Sequence, residues 1–197
     1  MDRLPDVGSG FGVPQVVEAS LLVAELFGPD SHRYQHMRGA ARFAGEAARV
    51  VAPDDACLVA AAVWLHDIGY AVPHHGFHSV DGAEYLLRTG WPPRLAALVA
   101  HHSFAAVVAP AAGMADLLAR FPDEGGLLAD LVVYGDMAVD ADGRPVCLDE
   151  RFAGIRDRHR SGTPNGLVQV QRERLIVNAV DRVERALDHA LRVPVSA

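Results

Sequence analysis

The sequence contains little cysteine and no long uninterrupted apolar run, and each absence excludes a class of protein. Its two cysteines, Cys57 and Cys147, lie far apart and follow no paired spacing, so we expect no disulfide framework, and a reducing cytoplasm fits best. No run of about eighteen consecutive apolar residues is present, which is the length that a membrane-spanning helix requires. The first residues, MDRLPDVGSGFGVP, lack the apolar core of a signal peptide. The sequence therefore predicts a cytoplasmic protein without a membrane span.

Positive charge is also scarce. Lysine and arginine number 18 against 25 aspartates and glutamates, which gives a formal net charge of -7. This balance weighs against nonspecific binding to a nucleic acid polymer or to an anionic membrane. A phosphate-binding P-loop, a Gly-x-Ser-x-Gly elbow and a Cys-x-x-Cys pair are all missing. The expected ligand is therefore a small molecule, and its site must be built from other residues.

Helix signals follow one another along the 197 residues, of which 50% are hydrophobic. No alternating pattern long enough for a strand is present, although the loop at residues 140–149 could hold a turn with a short strand pair. The sequence predicts a single all-α domain over residues 14–197, preceded by a flexible N-terminus at residues 1–13. The predicted helices cover residues 14–27, 31–51, 53–66, 79–89, 92–102, 114–121, 126–139, 150–158 and 164–191.

Histidine is unusually frequent, with ten in the chain and eight of them between His32 and His102. The pair His66-Asp67 follows the apolar helix sequence CLVAAAVWL and precedes a Gly/Pro turn. At such a helix end, two adjacent side chains can face one ion, because the backbone leaves the regular spiral there. An imidazole and a carboxylate suit Mn, Fe, Co, Ni or Zn. On its own, the dipeptide is more often a structural pair at a helix end.

Two further residues favour a metal site over that structural interpretation. His36 lies in mid-helix on a face with Ala40 and Phe43, where a histidine is otherwise a core residue with satisfied hydrogen bonds. Asp136 lies in the apolar segment LADLVVYGDMAV, where its burial is costly unless the charge is paired or bound to a metal. A salt bridge or a surface position is the alternative for Asp136. With His66 and Asp67 they form a candidate ligand set.

The order His, His-Asp, Asp on successive helices resembles the HD superfamily of metal-dependent phosphohydrolases. Arg33-x-x-His36 resembles the first helix of that family, and AAAVWLHDIGY at residues 60–70 resembles its second metal-binding helix. The resemblance covers residues 31–139, which are the expected metal-binding core. It implies an HD-type helical bundle that binds one or two divalent ions.

A second part of the resemblance implies a dinuclear site. HSVDGA at residues 78–83 and LAALVAHHS at residues 95–103 resemble steps found in family members with two metals. By that comparison, His78 and His101 join a second ion and Asp67 bridges the two ions. His102 could replace or assist His101.

These histidines also have structural alternatives. His78 could be a residue of the first turn of its helix, and the pair His101-His102 could be a polar helix end. His74 and His75, in the preceding loop, are expected to be solvated.

The resemblance implies hydrolysis of a small phosphate ester, with nucleotides among the candidates, by metal-activated water. A bound ion lowers the pKa of water and polarises a phosphoryl oxygen. Asp67 and Arg33 are the expected catalytic residues. Arg33 lies one turn before His36, where it could contact a phosphate with two hydrogen bonds. An exposed helix position without a role is the equal alternative for Arg33.

The chain departs from one branch of the family at Tyr70. The branch that cleaves cyclic dinucleotides has Ile-Gly-Lys where this chain has Ile68-Gly69-Tyr70, and its Gly-Tyr-Pro signature is missing after Ser103. A cyclic-di-GMP phosphodiesterase is therefore not expected.

An HD-type diiron oxygenase, which has the same order of ligands, is the first alternative function. A non-catalytic regulatory module is the second alternative, and the retained ligand set argues against it. The amphipathic final helix is expected to complete the core, with a homodimer face as its alternative.

Overall fold

The computed structural model describes residues 12–158 and 162–192. The predicted flexible N-terminus falls almost entirely outside the described residues. Within them, β-structure is limited to one isolated antiparallel bridge between Val139 and Pro145, at the loop where the sequence allows a short strand pair. The all-α class is confirmed. The α-helices are, in chain order, α1 (Val13–Phe27), α2 (His32–Val51), α3 (Ala56–Leu65), α4 (His78–Arg88), α5 (Pro93–His101), α6 (Ala105–Val108), α7 (Ala115–Leu118), α8 (Gly126–Met137), α9 (Leu148–Arg158), α10 (Pro164–Leu167) and α11 (Gln169–Arg192).

Helix α3 is the central helix of the bundle. Only Cys57 and Trp64 of its ten residues are not fully buried. Short 3-10 turns flank it, at Pro53–Asp55 and Ile68–Tyr70. Because the chain leaves the helix directly after Leu65, the pair His66-Asp67 lies at the buried end of the central helix.

Small residues let α2 and α8 approach each other closely. A Cβ atom added at Gly135 of α8 would lie 2.7 Å from the main-chain oxygen of Ala40 and 2.7 Å from Cβ of Ala44. A larger residue at this position would push the two helices apart. The close approach brings His36 of α2 next to Asp136 of α8.

The ends of the helices follow local signals. Ser31 caps α2, since its side-chain oxygen accepts the N–H of Tyr34 at 3.1 Å. Thr163 likewise accepts the N–H of Gly166 at 3.1 Å at the start of α10. The final helix is not continuous from there, however, because the chain leaves the helical conformation at Val168 before α11 begins.

Two other segments differ from the predicted helices. The helix expected at residues 114–121 shortens to the single turn of α7, and α6 was not predicted because one turn is too short to show a helical period. Ser103 and Phe104 separate α5 from α6 in left-handed conformations, with φ of 51° and 58°.

Helix α11 buries Ile176, Ala179 and Val183, so the final helix completes the core as expected. Among the described residues, no helix is long and apolar enough to cross a membrane.

Candidate metal centre

The first half of the site gathers four buried side chains from α2, from the turn directly after α3 and from α8. His36 Nε2 lies 3.1 Å from Asp136 Oδ1. His66 Nε2 lies 3.6 Å from Asp67 Oδ2 and 3.7 Å from Asp136 Oδ1. Each of these side chains is less than a tenth exposed. The structure therefore brings together the four residues that the sequence pattern selected first.

The second half of the site adds two histidines on the other side of Asp67. His78 is the first residue of α4, and His102 follows α5. Their Nε2 atoms are 3.1 Å apart, and they lie 3.6 Å and 3.8 Å from Asp67 Oδ1. The two oxygens of Asp67 thus face two different groups of histidines. Two groups of side chains in this cluster are able to hold an ion: His36, His66 and Asp67, and Asp67, His78 and His102.

Main-chain carbonyls fix the orientation of three imidazole rings. Nδ1 of His66 donates to Val63 O at 2.7 Å, and Nδ1 of His102 donates to Val99 O at 2.6 Å. Nδ1 of His36 donates to Asp140 O at 2.8 Å. Because Nδ1 of each ring is used by a main-chain carbonyl, Nε2 is the nitrogen that points into the cluster and that an ion would bind. This is the arrangement that metal-binding histidines adopt in proteins.

The donor set fits a divalent metal ion. Nε2 of His66 is fully buried and lacks a hydrogen-bond partner among the described residues, as does Nδ1 of His101 away from the cluster, and an ion bound in the cluster would satisfy the His66 nitrogen. Two ligands about 2.1 Å from one ion lie roughly 3.0–3.4 Å apart, close to the separations of 3.1–3.8 Å found here. The cluster can therefore hold a divalent metal through nitrogen and carboxylate ligands.

His101 is the exception among the predicted ligands, and the expectation that it joins a second ion is corrected here. It is the last residue of α5, and its Nε2 donates to Phe121 O at 2.9 Å, away from the cluster. The helix turn ends between the two histidines, so only the ring of His102 faces Asp67. The position of this helix end cannot be read from the sequence LVAHHS.

Two arginines neutralise the carboxylates of the cluster. Arg33 donates to Asp67 Oδ2 and lies 4.1 Å from the ring centroid of Tyr70. Arg151 of α9 donates to Asp136 Oδ1 at 2.7 Å and to the main-chain oxygen of Asp136 at 3.2 Å. Arg151 is buried, with 8% of its surface exposed. Sequence reasoning missed it, because α9 carries several charged residues and nothing in its pattern marks one of them as buried.

The electrostatics keep both carboxylates ionised. Burial acts to raise the pKa of Asp67, but His66 and Arg33 hold that pKa well below its usual range. Burial likewise opposes the charge of Asp136, and Arg151 and His36 hold the pKa of its carboxyl far below the ordinary value. Both carboxylates are therefore negatively charged at neutral pH, as a metal ligand requires.

The same burial keeps the second pair of imidazoles neutral. Burial and the neighbouring His102 lower the pKa of His78 to about 3. Burial and His66 lower the pKa of His102 to about 4. Neutral imidazole is the form that binds metals, so these rings need not lose a proton when an ion binds at pH 7.

A cavity of about 460 Å³ opens onto the cluster. Three arginines line it, Arg33, Arg151 and Arg172. Arg172 Nε donates to Ser103 O at 2.7 Å, and the hydroxyl of Ser103 donates to Asp136 Oδ2. A small substrate in this cavity would lie between the candidate metal ligands and a positively charged wall.

A third group of candidate ligands lies outside this cavity. His74, His75 and Glu84 form it, with His75 Nε2 at 3.0 Å from Glu84 Oε2. Arg120 donates to the other oxygen of Glu84 at 2.7 Å, so the carboxylate is already balanced. His74 is exposed, as expected for a solvated loop residue, whereas His75 is tied to Glu84.

Comparison with known proteins identifies the family. Searches of curated proteins and of solved structures return no match to this chain. A family model, described as HD domain, matches residues 33–186, which is most of the chain and includes every residue of the cluster. The match extends through α9 and α10 into α11, beyond the core that the sequence motifs cover. The chain therefore belongs to the HD-domain superfamily of metal-dependent phosphohydrolases.

Proposed function

We propose that this protein hydrolyses a small phosphate ester at a dinuclear metal centre in which Asp67 bridges two ions. The observation that carries the proposal is the division of the ligands into two groups that share only Asp67. Bound divalent ions would supply a hydroxide near neutral pH and would offset the charge of a phosphate. The ligands would be His36, His66, Asp67 and Asp136 on one side, and Asp67, His78 and His102 on the other.

The residues around the cluster would position the substrate. The side chain of Arg33 is 38% exposed, and its guanidinium lies at the cavity between Asp67 and Tyr70. The planar guanidinium that holds a carboxylate also matches two oxygens of a phosphate. Arg33 would therefore orient a non-bridging phosphate oxygen, while Ser103 and Arg151 keep Asp136 in place.

The experiment combines metal analysis with a phosphate-release screen on nucleotides and simple esters. Protein purified without added metal is expected to contain Mn, Co, Ni, Zn or Fe, and to release phosphate when it is loaded with such an ion. Asp67→Ala should lose the metal and the activity, whereas Asp123→Ala, at a half-exposed carboxylate outside the cluster, should keep both. An Asp67→Ala variant with full metal content would contradict the proposed site.

The number of ions is tested by a second variant. His78→Ala should reduce the metal content from two ions to one for each chain, because it removes a ligand of only one group. Two bound ions in this variant would contradict the dinuclear assignment.

The same measurements separate the two alternative functions. If the protein contained two irons in a mixed-valent state, consumed oxygen and released no phosphate, the hydrolase proposal would be wrong and an oxygenase would be supported instead. Tightly bound metal without turnover of any ester would favour a regulatory module.

A further inference from the structure

Arg172 carries a positive charge that the protein does not balance. Its side chain is partly buried, and its Nε donates to Ser103 O at 2.7 Å. Among the residues that the structure describes, no carboxylate lies within ion-pair distance of its guanidinium, whereas Arg33 and Arg151 each pair with one. Buried charges in proteins are usually paired, so an unpaired guanidinium facing a cavity indicates an anionic ligand.

The charges of the cavity support the same conclusion. Asp67 and Asp136 supply two negative charges, which Arg33 and Arg151 balance. Arg172 then remains in excess, and divalent ions would make the site more positive still. A ligand with at least one negative group would remove this imbalance.

Arg172 also lies at the junction of two cavities. A second cavity of about 310 Å³ shares Tyr70, His78, His102, Ser103, Asn165 and Arg172 with the first. The rest of its wall is mostly apolar and is formed by Pro73, Phe77, Ala105, Val108, Ala112 and Pro164.

The second cavity has one further charged residue in its wall, Asp81. That carboxylate accepts the main-chain N–H groups of His75 at 2.8 Å and of Gly76 at 3.1 Å. Both oxygens of Asp81 thereby accept hydrogen bonds from the loop before α4. The second cavity therefore offers a ligand mainly apolar contacts.

We infer that Arg172 binds the phosphate of the substrate at this junction, and that the second cavity receives a compact apolar or aromatic organic group. The substrate class is then a phosphate ester of a small apolar or aromatic alcohol. The inference rests on the proposed function, because it takes the anionic group to be the phosphate of an ester. It goes further in naming the other end of the substrate and the residues that select it.

Binding of phosphonates tests the inference without turnover. Phenylphosphonate and methylphosphonate are titrated calorimetrically into the protein as purified, and again after chelation. Phenylphosphonate is expected to bind about tenfold more tightly, since its ring buries apolar surface in the second cavity. Arg172→Gln should weaken the binding of both ligands by about tenfold or more, because hydrogen bonds to charged groups contribute more than neutral ones.

Two further variants separate charge from structure. Arg172→Lys should retain most of the affinity, because it keeps the charge while losing the Nε bond to Ser103. Arg174→Gln, at an exposed arginine of the same helix, should bind both ligands like the wild type. Arg172→Gln with wild-type affinity would overturn the inference, as would a loss in Arg172→Lys as large as in Arg172→Gln.

Binding of the apolar group of the substrate in the second cavity is tested by a substitution at Ala112, a partly buried residue of that cavity. Ala112→Phe should fill the cavity and abolish the preference for phenylphosphonate, with methylphosphonate binding unchanged. A preserved preference in this variant would overturn the second half of the inference.

The outcomes distinguish this inference from the proposed function. If the protein binds phenylphosphonate through Arg172 but releases no phosphate from any ester, the proposed hydrolase function is contradicted and the inferred binding site is supported. If it releases phosphate while Arg172→Gln and Ala112→Phe behave like the wild type, hydrolysis stands and the inference fails.

Discussion

At the scale of single residues, the centre depends on charges that are buried in pairs. Arg151 and Asp136 are both less than a tenth exposed, and they meet at 2.7 Å. Breaking such a pair leaves an uncompensated charge in the interior, which costs more than the pair itself contributes. The arginine is therefore expected to stabilise the metal-free protein.

Arg151→Met is expected to lower the free energy of unfolding of the metal-free protein by about 3 kcal/mol. Saturating Mn²⁺ should recover much of this loss, because an ion next to Asp136 replaces the missing positive charge. Urea denaturation with and without the ion measures both effects. Arg156→Met, on the same helix but in an exposed pair with Glu173, serves as the control and should change stability much less. Equal losses in the two variants would contradict the importance of the buried pair.

The two neutral histidines of the second group predict a dependence on pH. Burial and a neighbouring imidazole lower the pKa of His78 to about 3 and that of His102 to about 4. In the unfolded chain, both take up a proton near pH 6.5. Their contribution to stability is therefore complete above about pH 6.5, and it is lost as the pH falls. The free energy of unfolding of the metal-free protein should decrease by up to about 1.4 kcal/mol per pH unit for each histidine.

Urea denaturation between pH 7.5 and 4.5, after chelation, measures this slope. His78→Gln should make the slope shallower, whereas His189→Gln, at an exposed histidine of α11, should leave it unchanged. A stability independent of pH over this range would show that the second pair of histidines is not held neutral by burial.

At the scale of elements, the turn after α3 fixes where α4 lies. A Cβ atom at Gly69 would come within 1.9 Å of the main-chain oxygen of His78 and within 2.8 Å of the nitrogen of Gly82. Both neighbours are backbone atoms, so α4 would have to move as a unit. His78 would move with it, away from Asp67.

Gly69→Ala should therefore destabilise the protein by about 2 kcal/mol or more, and metal analysis should find one ion fewer for each chain. Gly45→Ala is the matched control, since its added Cβ would meet only Cβ of Ala60 at 3.4 Å. In mid-helix, that change should stabilise the protein by about 0.5–1 kcal/mol. Full metal content in Gly69→Ala would show that the position of α4 does not depend on this contact.

The elements also explain how much of the centre could be predicted from the sequence. The helices that carry His36 and Asp136 have clear apolar patterns, and the helix ending at His66 is apolar all round, so these residues could be placed before the structure was known. The choice between His101 and His102 depends on the end of α5, which two left-handed residues determine. No propensity at Ser103 or Phe104 signals that conformation.

Arg151 and Arg172 could not be predicted for a different reason. Both lie on amphipathic helices near other arginines, and only the packing of α9 and α11 against the centre decides which of them face inward. Long-range packing is not encoded in a local periodic pattern. The two arginines that α9 and α11 place at the cavity were therefore missed, while Arg33 and the candidate ligands of the cluster were found.

At the scale of the whole molecule, the candidate metal-binding core and the C-terminal helices line one cavity. The core supplies the candidate ligands and Arg33, and α9 and α11 supply Arg151 and Arg172, which line the same cavity. An ion bound to the core would be linked to α9 through Asp136, since Arg151 donates to both the side chain and the main chain of that residue. Loss of metal should weaken the whole fold rather than one local segment.

Chelation should therefore lower the melting temperature of the entire protein in one cooperative transition. An ion present at a hundred times its dissociation constant stabilises the native state by about 2.7 kcal/mol, which corresponds to about 5–10 °C for a chain of this size. Differential scanning calorimetry with saturating Mn²⁺, and again after chelation, measures the shift. Asp67→Ala should melt at the same temperature under both conditions, whereas Asp123→Ala should show the wild-type shift. A metal centre built around Asp67 would be contradicted if the melting temperature of the wild type did not change with the ion, or if the Asp67→Ala variant retained the full shift. Only an ion that binds the folded state through Asp67 makes the melting temperature depend on both the ion and this residue.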